Sequence, residues 1–203
     1  MKPKPIVTLE DFPKGENLIN IYPKNFYYLF NQDFLDKINS LIKSQFGIEK
    51  AFLKVLNKRI KQQTSHRVLT KYLNSQIYLS YRIIKEIENT FSLEDLESNI
   101  IAVKSAKSAL PIFNPIINIK ATPELANIIG HLLGDGGISK NQPYYFNKNL
   151  NLINNFKKNC YKIFGVFKID ESMDEGVICL RLPVIIGRLL NELNNTYSGA
   201  NSN

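Results

Sequence analysis

Tryptophan is absent, and cysteine, methionine and histidine occur only twice each in 203 residues. So few thiols and imidazoles argue against a disulfide-stapled fold and against a Cys/His zinc centre. Cys160 and Cys179 lie in apolar surroundings far in sequence from either histidine, which reads as two buried thiols of a reducing compartment. Long apolar runs are also missing, so no segment approaches a membrane span. The N-terminal stretch MKPKPIVTLEDF has prolines and acids where a secretory leader needs an apolar run. These absences lead to the expectation of a cytoplasmic protein. Neither a phosphate-binding glycine loop nor a Ser-His-Asp set is evident: Gly134-Asp135-Gly136-Gly137 comes after a helix instead of opening one.

Positive charge is plentiful and uneven. The net charge is +8, with 18 Lys/Arg against 11 Asp/Glu in residues 1–120 (+7) and 8 against 7 in residues 121–203 (+1). The attraction for a polyanion therefore sits in the first part of the chain. Between Glu49 and Lys71 stand Lys50, Lys54, Lys58, Arg59, Lys61, Arg67 and Lys71 against a single acid. Such a run is either a solvated helix face or a nucleic-acid surface.

Apolar periodicity predicts helices over Asp33–Phe46, closed by Gly47, and over Ile48–Leu56, Thr64–Leu73 and Ile77–Phe91. Pro23–Phe30 reads as a short aromatic helix in an N-terminal arm. Ser92 opens SLED, a capping-box pattern ahead of a short helix to Ser98. The stretch from Ile100 to Lys120 holds Pro111 and Pro115 and no acid, and reads as a connection with strand-like pieces. The expected organisation is a helical domain over 1–105, a linker over 106–117 and a second domain over 118–203. The polar tail Ser198–Asn203 reads as disordered.

The second domain holds the most informative segment, PELANIIGHLLGDGGI from Pro123 to Ile138. Leu125, Ile128, Ile129, Leu132 and Leu133 recur at the offsets of a buried helical face, with Pro123 suited to the first turn. Ala126, Gly130 and Gly134 form a small-residue stripe at four-residue spacing. Each helical glycine costs roughly 1 kcal/mol relative to alanine, a cost that close approach of a second helix would offset. Asp135 then stands at the helix C-terminus, where the macrodipole disfavours a carboxylate. Two such helices packed along their stripes would bring two carboxylates together, a geometry made tolerable by a divalent cation. The plain alternative is packing against a strand, with Asp-Gly-Gly an ordinary helix end and turn.

The nonapeptide IIGHLLGDG, Ile128 to Gly136, resembles the LAGLIDADG motif of the DOD-type homing endonucleases. Gly130 matches its first glycine, Gly134 its alanine, and Asp135-Gly136 its closing acid and glycine. With the segment after Gly136 included, the chain from about Ile117 to Leu193 resembles one family repeat: helix, two strands, helix, two strands, helix. Strands are expected on either side of an Asn141-Gln142-Pro143 turn, then a helix over Leu150–Phe164 stopped by Gly165, a hairpin of Val166–Asp170 and Val177–Leu182 around a Ser172–Gly176 loop, and a last helix over Val184–Leu193. The fold class expected is thus α+β, a helical domain succeeded by one αββαββα repeat.

The resemblance implies Mg2+-dependent hydrolysis of sequence-specifically bound double-stranded DNA. Asp135 would be a metal ligand, the Gly134 carbonyl a second one, and Asn147 a polar side chain beside the active-site water, so that Asp135 and Asn147 are the catalytic candidates. Leu133 stands where the motif has its first acid, a variable position, and a basic residue that the family often supplies beyond the third helix has no counterpart. One motif per chain implies a C2 homodimer with Ala126, Gly130 and Gly134 at the interface, or a frame that has lost a second repeat. Ile185–Glu192, IIGRLLNE, echoes the motif but has Asn191 where Gly134 stands, and reads as coincidence. Strand residues Lys140, Asn141, Gln142, Tyr145, Lys148, Lys168 and Arg181 are the candidate DNA contacts. Terminal splicing residues of an intein are absent.

In the first domain, the order KAFLKVLN, TSHRVLTKYLNSQ, IYLSYRIIKEIENTF resembles the helix-turn-helix of phage-repressor-like regulators. Thr64 or Ser65 would cap the recognition helix, and Ser65, His66, Arg67, Thr70 and Lys71 would reach bases or phosphates while Val68, Leu69 and Tyr72 pack inward. The Asn57–Gln63 turn is longer than the family's and lacks glycine, as a purely structural bundle would allow. Two further functions stay open beside the nuclease: a non-catalytic DNA-binding regulator on the same fold, and an RNA-binding intron maturase. His131 and Asp135, four apart, make at most a weak zinc pair, and His131 reads as a helix-interface or DNA-facing side chain.

Overall fold

The computed structural model describes residues 16–17, 26–61, 63–93, 96–106, 108–116, 118–119 and 122–191. The chain is α+β and divides into two compact units, one over Lys24–Pro115, the other holding Ile116–Asn203 together with the described pair Glu16–Asn17. The latter pair is strand β1, antiparallel to β6, Asn118–Ile119. The described residues contain no helix long and apolar enough to cross a membrane.

The Lys24–Pro115 unit joins a helical bundle to a small antiparallel sheet. Strand β2, Tyr27–Phe30, pairs with β3, Leu79–Ser80, on one side and with β4, Ile100–Lys104, on the other. Strand β5, Ile112–Phe113, pairs with β4. The expected aromatic helix over Pro23–Phe30 is therefore a strand over its last four residues, and residues 23–25 lie outside the described set. The reason is period two: Phe26, Tyr28 and Phe30 are each almost fully buried while Tyr27 and Leu29 are half-covered. A four-residue aromatic run has no length with which to show helical period, and aromatic side chains favour the pleated surface. Ile112–Phe113 likewise turns part of the expected linker into a paired strand.

Four helices complete the unit: α1, Gln32–Phe46; α2, Glu49–Ile60; α3, His66–Leu73; and α4, Tyr81–Phe91. Asn31 caps α1 by accepting from the Phe34 N–H, and Gly47 ends it at φ 72°. Helix α2 runs a turn past the expected end and stops at Lys61, which takes the left-handed conformation. The loop after it is clipped by Asn57: its Nδ2 donates to the Thr64 carbonyl at 2.9 Å and its Oδ1 accepts from the Thr64 N–H at 2.8 Å. Thr64 is thereby buried, and Ser65 is the cap of α3. Ser92 does not open a helix; it ends α4 at φ 48°, and Glu97–Asn99 forms only one 3-10 turn. An N-cap has extended backbone, so a left-handed Ser92 excludes the capping box. Residues 94–95 lie outside the described set.

In the other unit the element order expected over Ile117–Leu193 is present through residue 191. Helix α5, Pro123–Gly134, leads into β7, Gly136–Ser139, and β8, Gln142–Asn147; then come α6, Leu150–Phe164, β9, Val166–Phe167, β10, Asp170–Asp174, β11, Val177–Arg181, and a last helix α7 over 184–191. The sheet order is β10-β11-β8-β7, antiparallel throughout. Thr122 caps α5 and Asn149 caps α6, while Gly165 ends α6 at φ 100°.

Both hairpins are tighter than expected, because non-glycine residues take positive φ. The first turns at Lys140 (φ 50°) and Asn141 (φ 64°), which leaves Gln142 and Pro143 inside β8. The second turns at Glu175 (φ 45°) and Gly176 (φ 75°), which extends β10 to Asp174. Two consecutive residues at positive φ match the right-handed twist of the paired strands.

One face of this sheet is buried. Tyr145, Ile178 and Leu180 are buried on it, as are Ile128 and Leu132 of α5 and Ile153 and Phe156 of α6, and the rings of His131, Tyr145 and Phe156 interlock with centroids 4.5 to 5.7 Å apart. Cys160 and Cys179 are buried free thiols. Helix α7 seats on the first hairpin through Gly187, where an added Cβ would lie 2.1 Å from the Asn141 carbonyl oxygen. Asn191 Nδ2 also donates to Asn141 Oδ1 at 2.9 Å. Gly187→Ala must push helix and turn apart, so it should lower stability by about 1 to 3 kcal/mol, as overpacking does; a urea melt checks the loss.

Candidate functional site

Asp135 stands where α5 ends and β7 begins. Its N–H bonds the His131 carbonyl at 3.1 Å and its carbonyl accepts from the Phe146 N–H at 2.9 Å, so helix and sheet both fix its backbone. Its Oδ2 accepts from Asn147 Nδ2 at 3.1 Å. Asn147 is itself oriented: its Oδ1 accepts from the Asn149 N–H at 2.8 Å, and Asn149 Oδ1 caps α6 through the Asn151 N–H at 2.9 Å. A chain of amides thus runs from a helix N-terminus to the carboxylate. Both catalytic candidates expected from sequence lie together here, 12 positions apart in the chain.

Space is tight at the two glycines next in the chain. A Cβ at Gly136 would lie 2.4 Å from the Tyr144 carbonyl oxygen, and one at Gly137 would lie 2.6 Å from the Tyr144 hydroxyl. At Gly136 the turn from α5 into β7 therefore passes against β8 backbone closely enough to exclude a side chain, whereas at Gly137 the obstacle is the movable end of the Tyr144 ring.

Gly130 and Gly134 differ from these: a Cβ at either would meet nothing within 4 Å. Ala126, Gly130 and Gly134 are all exposed, and Leu133 beside them is 82% exposed. Leu133 thus departs from the expected buried face, which consists of Leu125, Ile128 and Leu132, with Ile129 half-covered. The reason is angular. At about 100° per residue, position 133 falls on the stripe side, close to 126 and 130. Nothing among the described residues offsets the helical cost of the two glycines by packing on them.

Strand parity corrects one of the expected nucleic-acid contacts. Tyr145 is fully buried, and burial, with the Asp135 carboxylate as a second cause, raises its phenol above the usual tyrosine value. It supports the site from beneath and cannot meet a ligand on the open face. Tyr144 and Phe146 occupy that face, with ring centroids 5.4 Å apart. They line, with Ser139, Lys140, Gln142, Arg181 and Val184, a shallow cavity of about 370 Å³. Lys140, Gln142 and Arg181 are thereby gathered around one cavity, and Arg181 donates to Ser172 Oγ at 3.2 Å. Asn141 is exposed, but its side-chain oxygen is taken by Asn191. Lys148 is exposed just past β8, and Lys168 pairs with Asp170 at 3.4 Å.

In the Lys24–Pro115 unit the five candidates on and before α3 are unequal. Ser65 Oγ accepts from the Val68 N–H at 3.3 Å as the cap. His66 Nε2 lies 3.0 Å from Glu49 Oε2, and Thr70 Oγ1 donates to the same carboxylate at 3.3 Å. Arg67 is exposed and Lys71 half-exposed, and neither ion-pairs with a described residue. Leu69 and Leu73 form the inward face, while Val68 and Tyr72 are half-buried.

For a cation, one chain offers the second Asp135 carboxylate oxygen and the Gly134 carbonyl. Among the described residues, no three His, Cys, Asp or Glu side chains converge. Mg2+ prefers six oxygen ligands, several of them waters, with one or two carboxylates. The donor types fit. No protein-family model matches the chain, and no curated protein matches it.

Proposed function

We propose that the chain binds double-stranded DNA sequence-specifically and, as a LAGLIDADG-type symmetric homodimer, hydrolyses its phosphodiesters with Mg2+. The observation that carries this reading is Asp135, a carboxylate at the negative end of a helix whose glycine face is bare. The dipole disfavours an acid there, and the Asn147 bond that engages it would serve an asparagine as well. A second copy packed along Ala126, Gly130 and Gly134 would cover the stripe and Leu133 and supply the second Asp135.

When bound, the cation would polarise a phosphoryl oxygen and activate a water. The chain's own residues have simpler tasks. Asp135 and the Gly134 carbonyl would hold the ion, and Asn147 engages one carboxylate oxygen, which leaves the other for the cation. The open sheet face would meet the duplex with Gln142, Arg181 and Lys140 as polar contacts, and Tyr144 and Phe146 as apolar ones against base edges. Arg67 and Lys71 would contact it from α3.

A non-catalytic DNA-binding regulator is the second reading, and the Asp135–Asn147 bond favours it, because that bond closes the turn with no cation present. A randomised duplex library, incubated with and without Mg2+, separates the two. The nuclease reading expects one sequence class to be cut only with Mg2+ and retained uncut without it. Tight, selective binding with no cutting in Mg2+ establishes the regulator, and preference for folded RNA over any duplex establishes the maturase.

A further inference from the structure

Helix α2 carries a row of positive charge that the proposed DNA contacts leave unused. Lys50, Lys54, Lys58 and Lys61 are all exposed. At about 100° per residue Lys50, Lys54 and Lys58 fall within an arc of about 80°, on the side opposite the buried Phe52 and Leu56, and Lys61 follows at the left-handed C-cap. They stand roughly 6 Å apart along the axis where the spacing is four residues.

The acids that might neutralise this row are committed elsewhere. Glu49 faces His66 and Thr70 of α3, and Glu86 of α4 holds Arg59 at 2.7 Å. None of the four lysines ion-pairs with a described residue. Helix stability accounts for only part of the row. Lys58 and Lys61 lie at the C-terminal end, where the macrodipole favours a cation, but Lys50 lies in the first turn, where it is disfavoured. A row that includes a lysine placed against the dipole, with its only helical neighbour acid turned away, fits an external polyanion better than it fits the helix.

We infer that the exposed lysine row of α2 is a track for the phosphate backbone of duplex DNA, apart from the Arg67–Lys71 end of α3. It deepens the DNA-binding reading without depending on cleavage. Three lysines along one helix face, with a fourth just past its end, suit a regularly charged backbone, whose contacts position a protein without reading bases. The row therefore adds affinity and salt sensitivity, not sequence choice.

The test uses the full chain and a mixed-sequence duplex across a salt series. Each neutralised phosphate contributes about 0.9 to the slope of log affinity against log salt. Replacing all four lysines, Lys50→Gln, Lys54→Gln, Lys58→Gln and Lys61→Gln, should reduce that slope by about 3 to 4 and weaken binding most at low salt. Glutamine matches lysine in helix propensity, and circular dichroism confirms that the helix persists. Arg67→Gln with Lys71→Gln is the comparison, expected to reduce the slope by no more than about 2.

An unchanged slope in the four-lysine variant overturns the track, as does a wild type that ignores duplex DNA at low salt. Tighter binding to phosphatidylserine vesicles than to the duplex also overturns it, in favour of a membrane surface. A slope loss in a protein that cuts nothing upholds the track and removes only the nuclease. An unchanged slope in a protein that cuts does the reverse.

Discussion

Asp135→Asn should leave a protein that folds, binds duplex DNA and no longer cuts it. Asparagine keeps an oxygen where Asn147 Nδ2 now donates at 3.1 Å, so the bond that closes the turn persists. Removing a carboxylate from the negative end of α5 relieves a few tenths to about 1 kcal/mol of dipole repulsion. The melting temperature without cations should therefore hold or rise slightly. Cutting should fall by about a thousandfold or more, since the cation supplies several kcal/mol of transition-state stabilisation and each 1.4 kcal/mol or so is a factor of ten. Melts with Mg2+ give an independent reading, because a specific ion stabilises the form that binds it. The wild type should gain stability from Mg2+ and the variant should not. A variant that cuts at the wild-type rate removes Asp135 from the chemistry.

The order of elements in the Asp135 unit was legible because its punctuation is strong. Pro123 at the helix start, Gly165 after α6 and the long amphipathic pattern of Leu150–Phe164 each impose one local conformation. Turn positions were less legible. Lys140, Asn141 and Glu175 all take positive φ, a conformation not signalled by lysine or glutamate. Moving the first turn from 141–143 to 140–141 placed Pro143 inside β8.

Tyr145 shows a different limit. The run Pro143-Tyr144-Tyr145-Phe146 is apolar or aromatic at both parities, so alternation cannot say which rings face inward. Tertiary packing decides it: Tyr145 goes beneath, against His131 and Phe156, and leaves Tyr144 and Phe146 on the open face. The strand at Tyr27–Phe30 was hidden by the same aromatic density and by partners more than 50 residues away. Asp135 and Asn147 were named together because the resemblance marks a position for each, and the structure joins them by one hydrogen bond. The group that orients Asn147, the Asn149 N–H, carried no signal of its own.

Gly187 has a packing reason that the sequence did not signal. The echo of the motif in IIGRLLNE reads as coincidence, yet its glycine is required by the 2.1 Å approach of the Asn141 carbonyl. Gly130, in the motif itself, has open space instead. Identical residue types in similar helices therefore meet different surroundings, a packed turn at Gly187 and open space at Gly130.

That contrast makes Gly130→Leu the sharpest perturbation of assembly. Within one chain it should stabilise, because a helical glycine is replaced by a good helix former worth about 0.8 kcal/mol and its side chain meets nothing. In a dimer it forces two backbones apart where they approach most closely. Stability per chain should rise while association and cutting are lost, two effects of opposite sign that a simple folding defect cannot produce.

The seam itself is read most directly by cross-linking. Leu133→Cys places a thiol at an 82% exposed position beside the stripe, while Cys160 and Cys179 are buried and burial pushes the Cys160 thiol well above its usual range. A short bis-maleimide should convert this variant to a covalent dimer at low protein concentration. It should fail to do so when Gly130→Leu is added, or when the thiol is placed instead at Met173, 68% exposed on β10. A Leu133→Cys protein that stays monomeric under the reagent, or that links no more readily than the Met173→Cys control, contradicts a two-copy seam along α5.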